Sequence, residues 1–341
     1  MVVFFYHAAY QRLTGGVLHQ LGYIGNDMVI AFFVLSGFVI AYVAGSGEDQ
    51  PAAFVKARFA RMYSVALPAL ALTVVADSIG RAVDPSLYNG DWFQDSQPVA
   101  RLLANAAFLN QLWFLDVRPF SNGPYWSIGY EFWYYMLFAA AHFLRGRLRI
   151  IVVAILCGVI GPKILVLYPI WLLGVLSYRL SQRVGDQPLA GACLFLLSIA
   201  GYAALWHFHY RAQIDNRMDA IFRPLDLQMS FQLFSKYAVG LLVAVNILGF
   251  SAMQRRVNFG RAGRLIQWLA GMTFSIYLFH YPLLHMFAAL LPGSLDSRAR
   301  ALLLICLVLG AIVLLAAVTE RKKKSARQLV DYAWSMVAQT V

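Results

Sequence analysis

Residues Asp27–Ala44 read DMVIAFFVLSGFVIAYVA, a run with one charged residue, at its first position. A helix crossing a bilayer needs about 20 predominantly apolar residues, so this stretch reads as a span. The pattern recurs at Met62–Ile79, Tyr125–Leu144, Leu189–His207, Phe231–Phe250, Leu265–Leu291 and Ala299–Val318. Leu148–Leu180 is long enough for two spans parted at Gly161-Pro162, and Met1–Tyr10 reads as the second half of another. The expected fold is all-α: a polytopic transmembrane bundle of about ten spans, forming one integral-membrane domain over residues 1–341 with a basic tail from 320.

Composition narrows the class. Of 341 residues, 60% are hydrophobic and 13% charged, against about 25% charged in soluble domains. That excludes an ordinary soluble enzyme, a coiled coil and a disordered chain. The net charge is +12, yet the basic residues sit in short runs between apolar blocks. They read as topology signals rather than as a nucleic-acid footprint, so the expected partner is the lipid bilayer and not nucleic acid. Cys157, Cys193 and Cys306 lie within apolar blocks without metal-ligand spacing, so no metal is expected. Met1–Tyr10 has neither a charged leader nor a small-residue cleavage site.

The basic clusters are Lys56–Arg61, Arg145–Arg149, Arg179–Arg183, Arg255–Arg264 and Arg321–Arg327, and the positive-inside rule puts all of them in the cytoplasm. Three apolar blocks between Arg61 and Arg145 would leave Arg145 outside. Arg101–Leu115, interrupted by Asn105, Asn110 and Gln111, is the one expected not to cross, because amides in lipid are costly unless buried in protein. It is expected to be re-entrant or interfacial, with both termini cytoplasmic.

Ionisable groups inside spans are functional or paired. His7 fits either an interfacial hydrogen bond or a general base, since imidazole titrates near neutrality. Glu131 fits either an inter-helix tie or an orienter of a catalytic imidazole or substrate hydroxyl. Arg58 and Arg61, at Arg-x-x-Arg spacing, share a helix face and fit either a topology signal or a phosphate clamp. Asp27 opens a span and suits its N-terminus, and His280 precedes Pro282, where the helix can bend. His142, His207, His209 and His285 read as interfacial, without a role.

Four segments occur in order: Phe32-Phe33-Val34-Leu35-Ser36-Gly37-Phe38, Arg58-Phe59-Ala60-Arg61-Met62-Tyr63, Tyr125-Trp126-Ser127-Ile128-Gly129-Tyr130-Glu131 and Ser275-Ile276-Tyr277-Leu278-Phe279-His280-Tyr281-Pro282. With His7 ahead and Thr319-Glu320 behind, the set resembles the bacterial membrane acyltransferase-3 family, which includes O-antigen, Nod-factor and exopolysaccharide O-acetyltransferases. The resemblance covers nearly the whole chain. It implies a multi-pass protein of the bacterial inner membrane that moves an acyl group, usually acetyl, from acyl-CoA to a hydroxyl of a glycan or lipid-linked saccharide. Acetyl-CoA would be a co-substrate, with no bound cofactor. His7 matches the family's essential first-span histidine, and Glu131 is the expected second catalytic residue, orienting the imidazole or stabilising its cation. Arg58 and Arg61 match the donor-binding pair. Asp27, Ser36, Tyr63, Asn110, Tyr125, Trp126, Ser127, Tyr277 and His280 are expected to line the substrate pocket. The family carries a basic residue further upstream of its histidine than this sequence reaches, so the first helix is expected to be incomplete.

Two other classes fit the same composition. A polysaccharide or glycolipid transporter or flippase would share the intramembrane polar groups, but its usual repeated halves are not visible here. A structural subunit of an export complex would need none of these residues. The acceptor-facing loops, Gln11–Asn26, Gly80–Gln97 and Phe208–Met229, carry no legible code for an acceptor. The topology is checked by cysteine labelling: Gly146→Cys should react with an impermeant maleimide from the cytoplasmic side only, and labelling from outside would overturn the scheme.

Overall fold

A computed structural model describes residues 1–17, 19–20, 24–46, 50–207, 215, 227–253, 259–295, 297–320, 328 and 331. The helices, in order, are α1 (Val2–Ala8), α2 (Gln11–Thr14), α3 (Gly25–Ser46), α4 (Pro51–Val83), α5 (Pro98–Ala106), α6 (Trp126–Phe143), α7 (Gly146–Ile160), α8 (Pro162–Leu165) and α9 (Tyr168–Val184). They continue as α10 (Pro188–His207), α11 (Leu233–Met253), α12 (Gly260–Ala270), α13 (Thr273–Leu290) and α14 (Arg298–Val318). Among the described residues there is no strand, only an isolated bridge between Gln94 and Phe120. Most of Phe208–Met229 and of the basic tail, His209, and part of the Arg255–Arg264 cluster lie outside the described residues.

Six segments among the described residues are long and apolar enough to cross a bilayer: Gly25–Ser46, Pro51–Val83, Pro162–Val184, Pro188–His207, Leu233–Met253 and Arg298–Val318. The expected ten are not all of this kind. Helices α6 and α13 stand where spans were expected, but they carry Glu131, His280, His285 and many tyrosines and are mostly buried. A helix surrounded by other helices need not be uniformly apolar, because protein rather than lipid meets its polar groups. Helix α7 has 15 residues and α1 has 7, both below spanning length.

Three boundaries differ from the sequence reading. The basic segment Lys56–Arg61 is not a loop before a span but part of the 33-residue α4, which at 1.5 Å per residue is about 50 Å long. The block Leu265–Leu291 is broken at Gly271-Met272 into α12, which has no buried residue, and α13. Arg101–Leu115 contains only the C-terminal part, Arg101–Ala106, of the nine-residue α5, followed by irregular chain; the whole helix is about 14 Å long and well short of a bilayer. The segment's amides Asn105, Asn110 and Gln111 are all fully buried. The break at Gly161-Pro162 is where the sequence put it. Gly161 adopts φ 81° between α7 and α8, and a Cβ there would collide with the backbone and ring of Trp113.

Packing is tightest where α3 crosses α9. A Cβ on Gly37 would strike the carbonyl of Trp171, and one on Gly174 would strike the carbonyl of Val34. The absent side chains let the two backbones touch, the close approach that small residues give helices in membranes. Helix α3 also packs on α1, α6 and α11, and α13 packs on α1, α4 and α14.

Two buried charges hold α13. Arg300, 8% exposed, donates to the carbonyls of Leu291 (3.2 Å), Ala288 (2.7 Å) and Leu13 (3.0 Å). It thereby joins the end of α13 to α2. At the other end the Glu320 carboxylate accepts from the Ser275 backbone N–H and hydroxyl, both at 3.0 Å. It satisfies the first-turn donors that a helix start leaves unpaired. Glu320→Ala should lower stability by about 1–3 kcal/mol, read as a fall in melting temperature, while Glu320→Gln, which keeps an acceptor oxygen, should lose clearly less.

Candidate functional site

Several polar residues of the bundle line three cavities. The largest, about 470 Å³, is lined by Phe32, Leu35 and Ser36 of α3, Arg58 and Arg61 of α4, Glu131 and Tyr135 of α6, and Ala270 and Thr273. A second, about 380 Å³, is lined by Tyr6, His7, Tyr10, Arg12, Trp92, Arg118, Trp126, Tyr277 and Tyr281, with Gly25, Asn26 and Val29 of α3. A third, about 240 Å³, lies between them. It shares Phe32, Arg61 and Thr273 with the first and Val3, Val29 and Tyr277 with the second. Phe32 and Tyr277 stack at the junction, with centroids 6.3 Å apart and planes 10° apart.

In the second cavity the decisive contact is between two histidines. His7 Nδ1 lies 2.9 Å from His280 Nε2. His280 Nδ1 lies 2.8 Å from the Tyr277 carbonyl and 3.0 Å from that of Ile276. A carbonyl only accepts, so Nδ1 of His280 carries the proton, and in the neutral ring Nε2 is then bare. It accepts from His7 Nδ1–H, which leaves His7 Nε2 as the unprotonated nitrogen of a ring lining the cavity. This chain of donors assigns the tautomer as a carboxylate beside an imidazole would.

Glu131 is therefore not the orienter of His7. It lines the other large cavity with Arg58 and Arg61, and it accepts hydrogen bonds from Ser36 (3.0 Å) and, at closer range, from Tyr135. Ser36 Oγ in turn accepts from the Trp171 indole at 3.2 Å. Arg58 is 8% exposed with its guanidinium over Phe54, and Arg61 lies over Phe274.

The remaining expected residues divide. Trp126 and Tyr277 line the His7 cavity, and Ser36 lines the Arg58 cavity. Ser127 stands behind Tyr277, with hydroxyls 2.7 Å apart, while the Tyr277 hydroxyl also donates to the Pro124 carbonyl. His280 is buried behind His7. Like Ser127 and His280, four more of the expected residues do not line these cavities. Asp27 accepts from Tyr202 at 2.8 Å, tying α3 to α10. The hydroxyls of Tyr63 and Tyr125 donate to the carbonyls of Ala106 and Asn105, bracing α5. Asn110 is fully buried with its carbonyl oxygen against Gly129.

Sequence reasoning missed a cluster beside His7. His285, expected to be interfacial, is fully buried. It takes a hydrogen bond from Arg12 Nε at 3.3 Å and packs on Trp92 with centroids 4.5 Å apart. Tyr88, in the turn after α4, packs against the same imidazole, and burial raises its hydroxyl pKa. The available signal was spacing: Tyr281 and His285 are one turn apart on the helix that carries His280.

Residues 1–319 match the family model described as an acyltransferase domain, of the acyltransferase-3 type. Among curated proteins, the acyltransferase MdmB of Streptomyces mycarofaciens is 29% identical over 145 residues, 40% of this chain and 35% of that protein. The chain thus spans about a third of the length of the relative it matches. No solved structure matches it.

His280→Ala should lower acyl-transfer turnover by about 10–100-fold, the scale of losing a partner that fixes an imidazole's tautomer and orientation, with little change in donor KM. Glu131→Gln keeps acceptor capacity toward Ser36 and Tyr135 and should leave turnover within a few-fold. Equal losses in the two variants would restore Glu131 as the orienter.

Proposed function

Because the chain belongs to the acyltransferase-3 family, we propose that it moves an acyl group, acetyl in the simplest case, from acyl-CoA to a hydroxyl of a saccharide acceptor. The observation that carries this reading is the row of three cavities, with two arginines at one end and, lining the other, a histidine whose Nδ1 is engaged by His280.

Each part has a chemical use. The phosphates of acyl-CoA need fixed cations, and Arg58 and Arg61 can bind phosphate oxygens through charge-assisted bonds. The donor's long, mostly uncharged arm suits the middle cavity, whose lining is apolar apart from Arg61, Thr273 and Tyr277. The thioester then lies near His7. His7 Nε2 takes the proton of the acceptor hydroxyl as its oxygen attacks the thioester carbonyl. The resulting imidazolium is held by its Nδ1–H bond to His280. As the tetrahedral adduct collapses, the C–S bond breaks, the ester forms, and the proton passes from His7 to the departing thiolate. The acceptor enters from the His7 cavity, where Trp92, Trp126, Tyr6, Tyr10 and Tyr281 offer aromatic faces to a sugar ring. In this scheme the Arg58 end faces the cytoplasm, where acyl-CoA is made, in the inner membrane of a bacterium.

The test uses the protein in lipid nanodiscs with acetyl-CoA and an added saccharide. Free CoA should appear in an acceptor-dependent way, and a transporter would release none. His7→Ala should bind acetyl-CoA normally but lose about 10²–10⁴-fold in turnover. Near-normal turnover in that variant would end its assignment as base. Arg58→Ala and Arg61→Ala should each weaken acyl-CoA by about 1.5–3 kcal/mol, seen in KM. A short thioester without the nucleotide should be used equally before and after mutation, and an equal loss toward both donors would rule out the phosphate clamp.

A further inference from the structure

The His7 cavity holds a cation whose charge the neighbouring side chains do not balance. Two arginines line it, Arg12 and Arg118, and no acidic residue does. Arg118 is paired, donating to Asp116 Oδ2 at 3.0 and 2.7 Å. Arg12 has no carboxylate within ion-pair distance among the described residues. Its partners are neutral: Nη2 donates to the Tyr281 hydroxyl at 2.6 Å and Nε to His285 Nε2 at 3.3 Å. His285 Nδ1 faces the Tyr281 carbonyl at 2.9 Å, so it carries the proton and Nε2 can only accept. The imidazole bonded to Arg12 is thus neutral.

The guanidinium is also held in place. It lies 4.4 Å from the ring centroid of Trp92 and 4.7 Å from that of Tyr10. Two hydrogen bonds and two rings fix its plane, and no bond is made by Nη1 among the described residues. A planar fork fixed in this way is suited to an oxyanion, which takes paired N–H donors. Its place relative to His7 is equally defined. Tyr281 touches both, its ring 4.7 Å from the His7 ring and its hydroxyl bonded to Arg12, and Tyr10 packs against both as well. The two groups are therefore within the reach of one saccharide unit.

We propose that Arg12 is an anion-binding residue of the acceptor site, and that the preferred acceptor presents a carboxylate or phosphate oxyanion close to the hydroxyl that is acylated. The inference rests on the reading of this cavity as the acceptor site. A neutral acceptor would cover the guanidinium without supplying a counter-charge, and burying an unbalanced charge is costly. A cationic amino sugar would be repelled. An anion supplies the missing charge and fixes which hydroxyl meets His7 Nε2.

The test is a set of binding titrations on the full chain in phosphatidylcholine nanodiscs at fixed ionic strength. The probes are methyl glucuronoside, glucose 1-phosphate, methyl glucoside and methyl glucosaminide, each against wild type, Arg12→Gln and Arg12→Lys. At least one anion should bind about tenfold or more tightly than the neutral glycoside, and the amino sugar weakest. Which anion wins decides between carboxylate and phosphate. Arg12→Gln should bring the anion-to-neutral ratio near one, and Arg12→Lys should keep part of the preference. Equal affinities, a preference that survives Arg12→Gln, or no binding by any probe would overturn the proposal. Failure of the acyl-transfer reading would appear separately, as absent thioester cleavage in a protein that still shows the anion preference.

Discussion

The contact between α3 and α9 at Gly37 and Gly174 sets the spacing on which the site depends. Because neither position has a side chain, the helices meet backbone to backbone. That brings the Trp171 indole to the Ser36 hydroxyl, which is bonded to Glu131. Helix α3 then forms a wall of every cavity along its length: Phe32, Leu35 and Ser36 in the first, Met28, Val29 and Phe32 in the middle, and Gly25, Asn26 and Val29 beside His7. A methyl group at the crossing would push the helices apart and shift all three walls together.

The pairing of His7 with His280 suits its surroundings. A carboxylate behind His7 would be a charge in a low-dielectric interior needing its own cation. A second neutral imidazole, anchored by backbone carbonyls, fixes the same tautomer without that demand. The one carboxylate in the large cavities, Glu131, stands instead in the cavity that contains Arg58 and Arg61. Arg58, Arg61 and the acid share one compartment, and the histidine pair lies at the other, whose own arginines, Arg12 and Arg118, face no lining acid.

Hydropathy made most helix positions legible in the sequence, because spanning helices leave long, nearly uninterrupted apolar runs, as at Asp27–Ala44 and Ala299–Val318. It was less informative for α6 and α13, which are buried in protein and free to carry tyrosine, histidine and glutamate. The break at Gly161-Pro162 was legible because backbone chemistry is local, whereas the break at Gly271-Met272 has no proline to announce it. His7, Arg58 and Arg61 stood out as charges or imidazoles in apolar settings. Their division between separate cavities did not, because Glu131 and His7 differ by 124 positions and only the folded bundle decides which of them meet. Arg12 and His285 escaped notice for the same reason: each is unremarkable in its own segment, and their contact joins α2 to α13.

The Phe32–Tyr277 stack lies where the compartments meet. A bundle hollow from both ends is a hazard to the membrane that contains it, since a continuous file of water would short-circuit the ion and proton gradients the cell maintains. Flat aromatic faces where neighbouring cavities share their walls favour dewetting and so insulate. Such a stack can part for a slender uncharged chain, which fills the gap as it opens it. A smaller side chain at position 32 would remove one of the two rings and weaken that insulation.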